Sequence, residues 1–230
     1  MVDVAGNYHK ILDRISEIAG KCRRHPREVK VLGAAKSQSV GSIRQAIAAG
    51  VTLIGENYVQ EAEAKKSQVP ESVEWHMIGH LQRNKAKAAV EIFDLIETMD
   101  SVALARELEK QGKRIGKKIR AFVEVNLAGE ESKSGIAKDD LALLLEAVAK
   151  LDYVAVAGLM TVPPFREEPE ESRPYFRELR ELKDKFNAQR IPHVDLQELS
   201  MGMTHDYPVA IEEGATIVRI GTALFGPRKA

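Results

Sequence analysis

Apolar residues along this chain alternate between two periods. Val4, Tyr8, Ile11, Leu12, Ile15, Ile18 and Ala19 fall at the three- and four-residue spacing of one helix face, which Gly20 ends before the His25-Pro26 break. Apolar runs of strand length follow at Val29 to Ala35, Val51 to Ile54, Trp75 to Ile78, Phe93 to Ile96, Ile119 to Leu127, Tyr153 to Met160, Leu196 to Leu199 and Ala215 to Ile220. Between them the pattern predicts helices over Ser42 to Ala49, Tyr58 to Lys66, Asn84 to Glu91, Val102 to Lys110, Lys138 to Lys150, Glu170 to Gln189 and Tyr207 to Glu213, several closed by a glycine such as Gly50, Gly112 or Gly214. Strands alternating with helices pair in parallel through right-handed crossovers. Eight such units with near-continuous apolar strands predict an α/β fold, a single (β/α)8 TIM barrel with an extra N-terminal helix; a doubly wound open sheet is the alternative.

No Ser/Gly-rich linker divides the chain, so residues 1–230 read as one domain. That length falls short of the roughly 250 residues of an ordinary barrel. Hydrophobic residues at 44% and charged residues at 30% describe a globular chain with a real core. The 34 basic and 34 acidic residues cancel, leaving no global field to draw in nucleic acid or an anionic membrane. Cys22 is the only cysteine, which rules out an intramolecular disulfide and fits a reducing cytoplasm. No apolar run reaches the roughly 18 residues of a membrane span, and no leader precedes the first helix.

The chemistry-bearing residues gather at predicted strand ends. Lys36 follows strand one, Glu56-Asn57 strand two, Gly79-His80 strand three, Met160-Thr161 strand six, Ser200-Met201-Gly202 strand seven and Gly221-Thr222 strand eight. In a barrel these ends converge on one face, where such folds keep their sites. The loops after strands seven and eight commonly hold a phosphate, and Ser200, Gly202, Gly221 and Thr222 offer hydroxyls and close backbone approach for one. Arg219 lies in an apolar strand, where a permanent charge needs a partner or a ligand. Lys36 alone could be a lysine snorkelling from the rim; facing a phosphate cup, it reads as a Schiff-base lysine.

Other features count for less. His76 lies on the strand from Trp75 to Ile78 and His80 follows Gly79 at its end; four residues of strand span about 13 Å, too far for one metal ion, so no metal is expected. The proline-dense segment from Val162 to Pro169 reads as a lid-like loop, and Glu167, Glu168, Glu170 and Glu171 as favourable charge at the start of the next helix. Lys110, Lys113, Arg114, Lys117, Lys118 and Arg120 straddle a helix end and read as a solvated face. No GxGxxG, Walker lysine loop, GxSxG or HExxH is present.

With these residues the sequence resembles the YggS/PROSC family of pyridoxal 5′-phosphate (PLP) homeostasis proteins. The resemblance is carried by the segments from Val31 to Lys36, Gly55 to Glu61, Trp75 to Lys85, Gly158 to Thr161, Leu199 to Met203 and Val218 to Thr222, with Val125-Asn126. It implies an alanine racemase N-terminal-domain-like barrel. It also implies PLP as cofactor, with Lys36 as its Schiff-base lysine, Asn57 among the binding residues, Ser200, Gly202, Gly221 and Thr222 at the phosphate, and Arg219 near the pyridine nitrogen. Where the family commonly has Met-Ser, a small residue and Asp, this chain has Met203-Thr204-His205-Asp206, followed by Tyr207-Pro208.

An arginine stays protonated, so beside the pyridine nitrogen it leaves that nitrogen unprotonated and the ring a weak electron sink. The resembling racemases supply a further acid from a second domain across a dimer, and after strand eight this chain has only Leu224 to Ala230. The expected role is therefore reversible capture of PLP in cytoplasmic PLP homeostasis, by a monomer, with PLP-dependent apo-enzymes as candidate recipients and no established catalytic residue. The competing readings are a PLP-dependent amino acid racemase using His80, His205 or Tyr207, and a PLP-independent aldolase.

Overall fold

The computed structural model describes residues 2–69, 72–130 and 133–227; the last three residues of the expected C-terminal stretch lie outside them. Helix α1 (Val4–Lys21) is capped by Asp3, whose Oδ1 accepts from Gly6 N–H at 2.9 Å, and buries Val4, Tyr8, Ile11, Ile15 and Ile18. The chain then alternates: β1 (Lys30–Ala34), α2 (Val40–Ala48), β2 (Leu53–Glu56), α3 (Val59–Lys66), β3 (Glu74–Met77), α4 (Ala86–Ile92), β4 (Leu95–Met99) and α5 (Val102–Ile115). The second half adds β5 (Ile119–Asn126), a two-residue β6 (Ile136–Ala137), α6 (Leu141–Val148), β7 (Val154–Met160), α7 (Arg173–Asn187), β8 (Val194–Met203), α8 (Tyr207–Glu212), β9 (Ile217–Ile220) and α9 (Thr222–Phe225).

Eight of these strands close a parallel barrel. Each of β1 to β4 pairs with the next, β5 pairs with β7, β7 with β8, β8 with β9, and β9 returns to β1 with Leu32 opposite Arg219. The expected barrel with its leading helix is the observed one. Short β6 pairs only with the end of β5, outside the ring. Several boundaries differ from expectation, two of them with a clear local cause or a large extent. Gly112 does not end α5; the helix runs on to Gly116, whose φ of 66° supplies the left-handed cap, and Gly112 lies where a Cβ would meet Lys117 O at 2.8 Å. Strand β8 spans ten residues, well beyond the apolar core from Leu196 to Leu199.

The core has two parts, as alternation along each strand requires. Outward-facing strand residues such as Val31, Ile54 and Val218 join the helices in the larger cluster. Leu32, Leu53, Leu95, Phe122, Met160 and Ile217 form a separate apolar layer within the ring. Two residues further along their strands, on the same face, stand Glu97, Glu124 and Arg219. The barrel is thus filled by an apolar layer with a polar layer above it, nearer the strands' C-terminal ends. Among the described residues, no helix is long and apolar enough to cross a membrane.

Candidate functional site

The polar layer is a connected set of hydrogen bonds. His76 Nδ1 lies 2.7 Å from Glu97 Oε1, and Ser200 Oγ donates to Glu97 Oε2 at 2.5 Å. Arg219 Nη1 donates to Ser200 Oγ at 2.8 Å and to Ser200 O at 2.7 Å, while Nη2 donates to Thr161 O at 2.8 Å. All are buried, His76 at 2% exposure and Arg219 at 5%. The guanidinium is therefore held by carbonyls and a hydroxyl, with the carboxylates of Glu97, Glu124 and Asp206 supplying opposite charge at longer range; burial nevertheless pushes its pKa down.

Two of these groups titrate far from their ordinary ranges. Burial works to lower the His76 pKa, but Glu74 and Glu97 on either side outweigh it and push it up to about 9. Nε2 of His76 stands 3.6 Å from Glu74 Oε2, beyond hydrogen-bond reach. Burial pushes Glu124 up to about 7 against the attraction of Arg219, and its Oε2 has no partner. Sequence reading missed Glu97 and Glu124 as site residues. The signal was present: each stands two positions beyond an apolar residue of a barrel strand.

Above this layer the strand-end residues gather as expected of a barrel mouth. Lys36 is half-buried on the turn after β1, where Gln38 N–H donates to Ala35 O at 2.9 Å and Ser37 takes a left-handed φ of 61°. Gly221 approaches that strand end: a Cβ built on it would lie 3.8 Å from the Ala34 Cβ. It precedes α9, which begins at Thr222 with no side-chain cap hydrogen bond. Ala223 N–H reaches Thr204 Oγ1 at 3.4 Å, joining the ends of β8 and β9. Gly202 has a φ of 88° and lies against Tyr207 and Ala210 at the start of α8.

Ser200 is placed differently from the glycines and Thr222. Its hydroxyl points into the barrel, fully buried and committed to Glu97 and Arg219, so its side chain acts on the mouth through the arginine. Asn57 follows β2, packed so closely on Gly79 that a Cβ there would meet Asn57 O at 2.4 Å. Both line a recess of about 440 Å³ with Tyr58, His80 and Lys85. His80 is exposed, its Nδ1 3.3 Å from Asp100 Oδ2. His205 holds the loop after β7, with Nε2 2.9 Å from Glu167 O and its ring 5.3 Å from that of Phe165.

The basic cluster near α5 does not converge on a single patch, because Lys117 donates to Val90 O and Phe93 O, Lys118 meets His193, and Arg114 pairs with Glu91. Among the described residues, no group of three or more His, Cys, Asp or Glu is placed to hold a metal ion.

Residues 7–229 match the family model described as alanine racemase, N-terminal domain. A pyridoxal phosphate homeostasis protein of Aquifex aeolicus is 45% identical over 221 residues, covering 96% of each chain. That of Escherichia coli is 38% identical over 234 residues, covering 99% of this chain and 98% of its own. The chain belongs to the pyridoxal phosphate homeostasis protein family. Among solved structures of this family, PipY of Synechococcus elongatus with PLP bound is 37% identical, with a TM-score of 0.81 covering 92% of this chain and 100% of its own. An alanine racemase of Clostridium difficile 630 superposes with a TM-score of 0.78 at 13% identity, covering 99% of this chain and 57% of its own. That likeness is one of fold.

Proposed function

We propose that this chain binds PLP at the barrel mouth, holds it covalently through Lys36, and acts in intracellular PLP homeostasis as a single-domain carrier. The observation that carries the reading is a lysine-bearing turn at the same barrel end as a buried arginine held in place by Ser200 and Thr161, in a chain 37% identical to a relative solved with PLP bound. When bound, PLP supplies an aldehyde that condenses with a lysine amine.

The residues present fit such a group. Gly202, Gly221 and Thr222 offer backbone N–H groups and a hydroxyl for a phosphate where the strands end, with Asn57 at the end of β2, one strand removed from β9. Arg219 keeps its proton and cannot hand one to a ring nitrogen, and Ser200 and Thr161 fix its direction. That favours holding over strong carbanion chemistry. A monomer in the cytoplasm, delivering to PLP-dependent apo-enzymes, completes the proposal.

The test is spectroscopic and chemical together. Purified protein mixed with PLP should develop an imine absorption band that borohydride traps, and a peptide map should find the label on Lys36. A label elsewhere, or an unchanged band in Lys36→Ala, would sink the assignment. Fast exchange of amino acid Cα–H in D2O would instead favour the racemase reading.

A further inference from the structure

The turn carrying Lys36 is gripped from α3. Ala35 O accepts from Lys65 Nζ at 3.1 Å, and Ser37 N–H donates to Glu61 Oε2 at 3.1 Å, so the backbone on each side of Lys36 has a charged partner. Lys65 Nζ also donates to Glu61 Oε2 at 2.8 Å and to Glu56 Oε1 at 2.7 Å, closing three side chains into one cluster. Glu56 faces outward from β2 beneath α3, fully buried, with Oε2 unpartnered. An exposed i,i+4 pair contributes little to stability. This one is different, because the Lys65 side chain is 12% exposed and aims at backbone.

The grip has something to hold. At a φ of 61° Ser37 sits in the left-handed region, which is unfavourable for a residue with a Cβ and persists where the surroundings over-determine it.

We propose that Glu61 and Lys65 are positioning residues that fix the approach of Lys36 Nζ to an aldehyde in the barrel mouth. This rests on the PLP reading of Lys36. Capture joins Nζ to the aldehyde carbon, and the aldehyde oxygen leaves as water with both amine protons; the cluster takes no part in those proton transfers and acts by restricting geometry.

Two measurements test it. Rapid mixing of apo-protein with PLP reads the rate at which the imine band grows, and amide hydrogen exchange on apo-protein reads the Ser37 N–H with no ligand present. Glu61→Ala should slow capture about tenfold and speed Ser37 exchange, as loss of a hydrogen bond to a charged group implies. Glu61→Gln keeps an acceptor for Ser37 and should recover most of the rate. Lys66→Ala, on the same helix, removes contacts to Ile92 O and Asp94 and controls for simple weakening of α3; it should leave both readouts unchanged. Capture and exchange at wild-type rates in Glu61→Ala, no recovery in Glu61→Gln, or equal slowing in Lys66→Ala would each overturn the proposal. Should Glu61→Ala not fold, Lys65→Met carries both readouts with the same expected and overturning results. A wild type that traps nothing at Lys36 refutes the PLP reading itself, whereas failure of this proposal leaves the wild type trapping PLP and Glu61→Ala trapping it equally fast.

Discussion

Ser200 on β8 and Glu97 on β4 meet inside the barrel at 2.5 Å, the serine hydroxyl donating to the carboxylate while accepting from Arg219. One hydroxyl therefore joins an anion to a cation across the ring. It lets a guanidinium be buried without a direct salt bridge and fixes the direction in which that guanidinium points.

Ser200→Ala should show what this join contributes. The substitution leaves Glu97 Oε2 without its donor and removes one of the three Arg219 bonds, so urea unfolding should show a loss of about 1–3 kcal/mol. The circular dichroism spectrum should stay native, because the alanine fits the same buried position. A loss below about 0.5 kcal/mol would mean that water enters and replaces the hydroxyl.

His76 makes stability depend on pH. Its folded-state pKa of about 9 lies above the ordinary 6.5, so the folded state binds the proton more tightly. The contribution is fully present below pH 6.5 and is lost as pH rises through 9. It amounts to on the order of 3 kcal/mol. Denaturant unfolding from pH 6 to 9.5 should show this decline in the wild type and a flatter profile in His76→Gln. Equal slopes would mean that the histidine is neutral in the folded protein.

The barrel itself was legible because its outward strand faces and helix faces bury continuous apolar stripes, and the position of Lys36, Gly202, Gly221 and Thr222 at one end of it was legible because strand ends converge. The polar layer was not. Glu97 and Thr98 belong to β4 yet interrupt its apolar run, so the strand reads as ending at Ile96. In β8 the polar residues Asp195, Gln197 and Glu198 hide a ten-residue strand. Glu61 and Lys65 look like an ordinary helix-surface pair, and only the return of α3 over the Lys36 turn shows otherwise. The sequence also offered the Ser200 hydroxyl to the phosphate; the pleat of β8 turns it inward to Glu97.

Glu124 adds a second pH dependence in a lower window. Burial raises its pKa from 4.5 to about 7, so its favourable contribution is fully present below pH 4.5 and is lost as pH rises through 7. Above that the wild type holds an incompletely paired buried carboxylate. Glu124→Gln should match the wild type near pH 4.5 and exceed it at pH 8 by up to the order of 3 kcal/mol, read from urea midpoints at the two pH values. A variant less stable than wild type at pH 8 would show that the charge is satisfied there, with Arg219 as the partner.

Gly202 tests the proposed phosphate site directly. Its φ of 88° disfavours any residue with a Cβ, and a Cβ there would stand 2.5 Å from the Ala210 Cβ and 2.9 Å from the Tyr207 Cα. Neither neighbour is the end of a flexible side chain, so the β8–α8 turn must move. Gly202→Ala should cost at least about 2 kcal/mol of stability and weaken PLP capture. Gly221→Ala provides the contrast, since its Cβ would meet only Ala34, at 3.8 Å and 3.9 Å. It should keep near-wild-type stability while still adding a methyl beside the first N–H groups of α9. If both variants capture PLP at the wild-type rate, the phosphate does not sit between these two turns. If only Gly202→Ala fails, the defect lies in the fold of the turn, and thermal unfolding of the two apo-proteins will show it before any ligand is added.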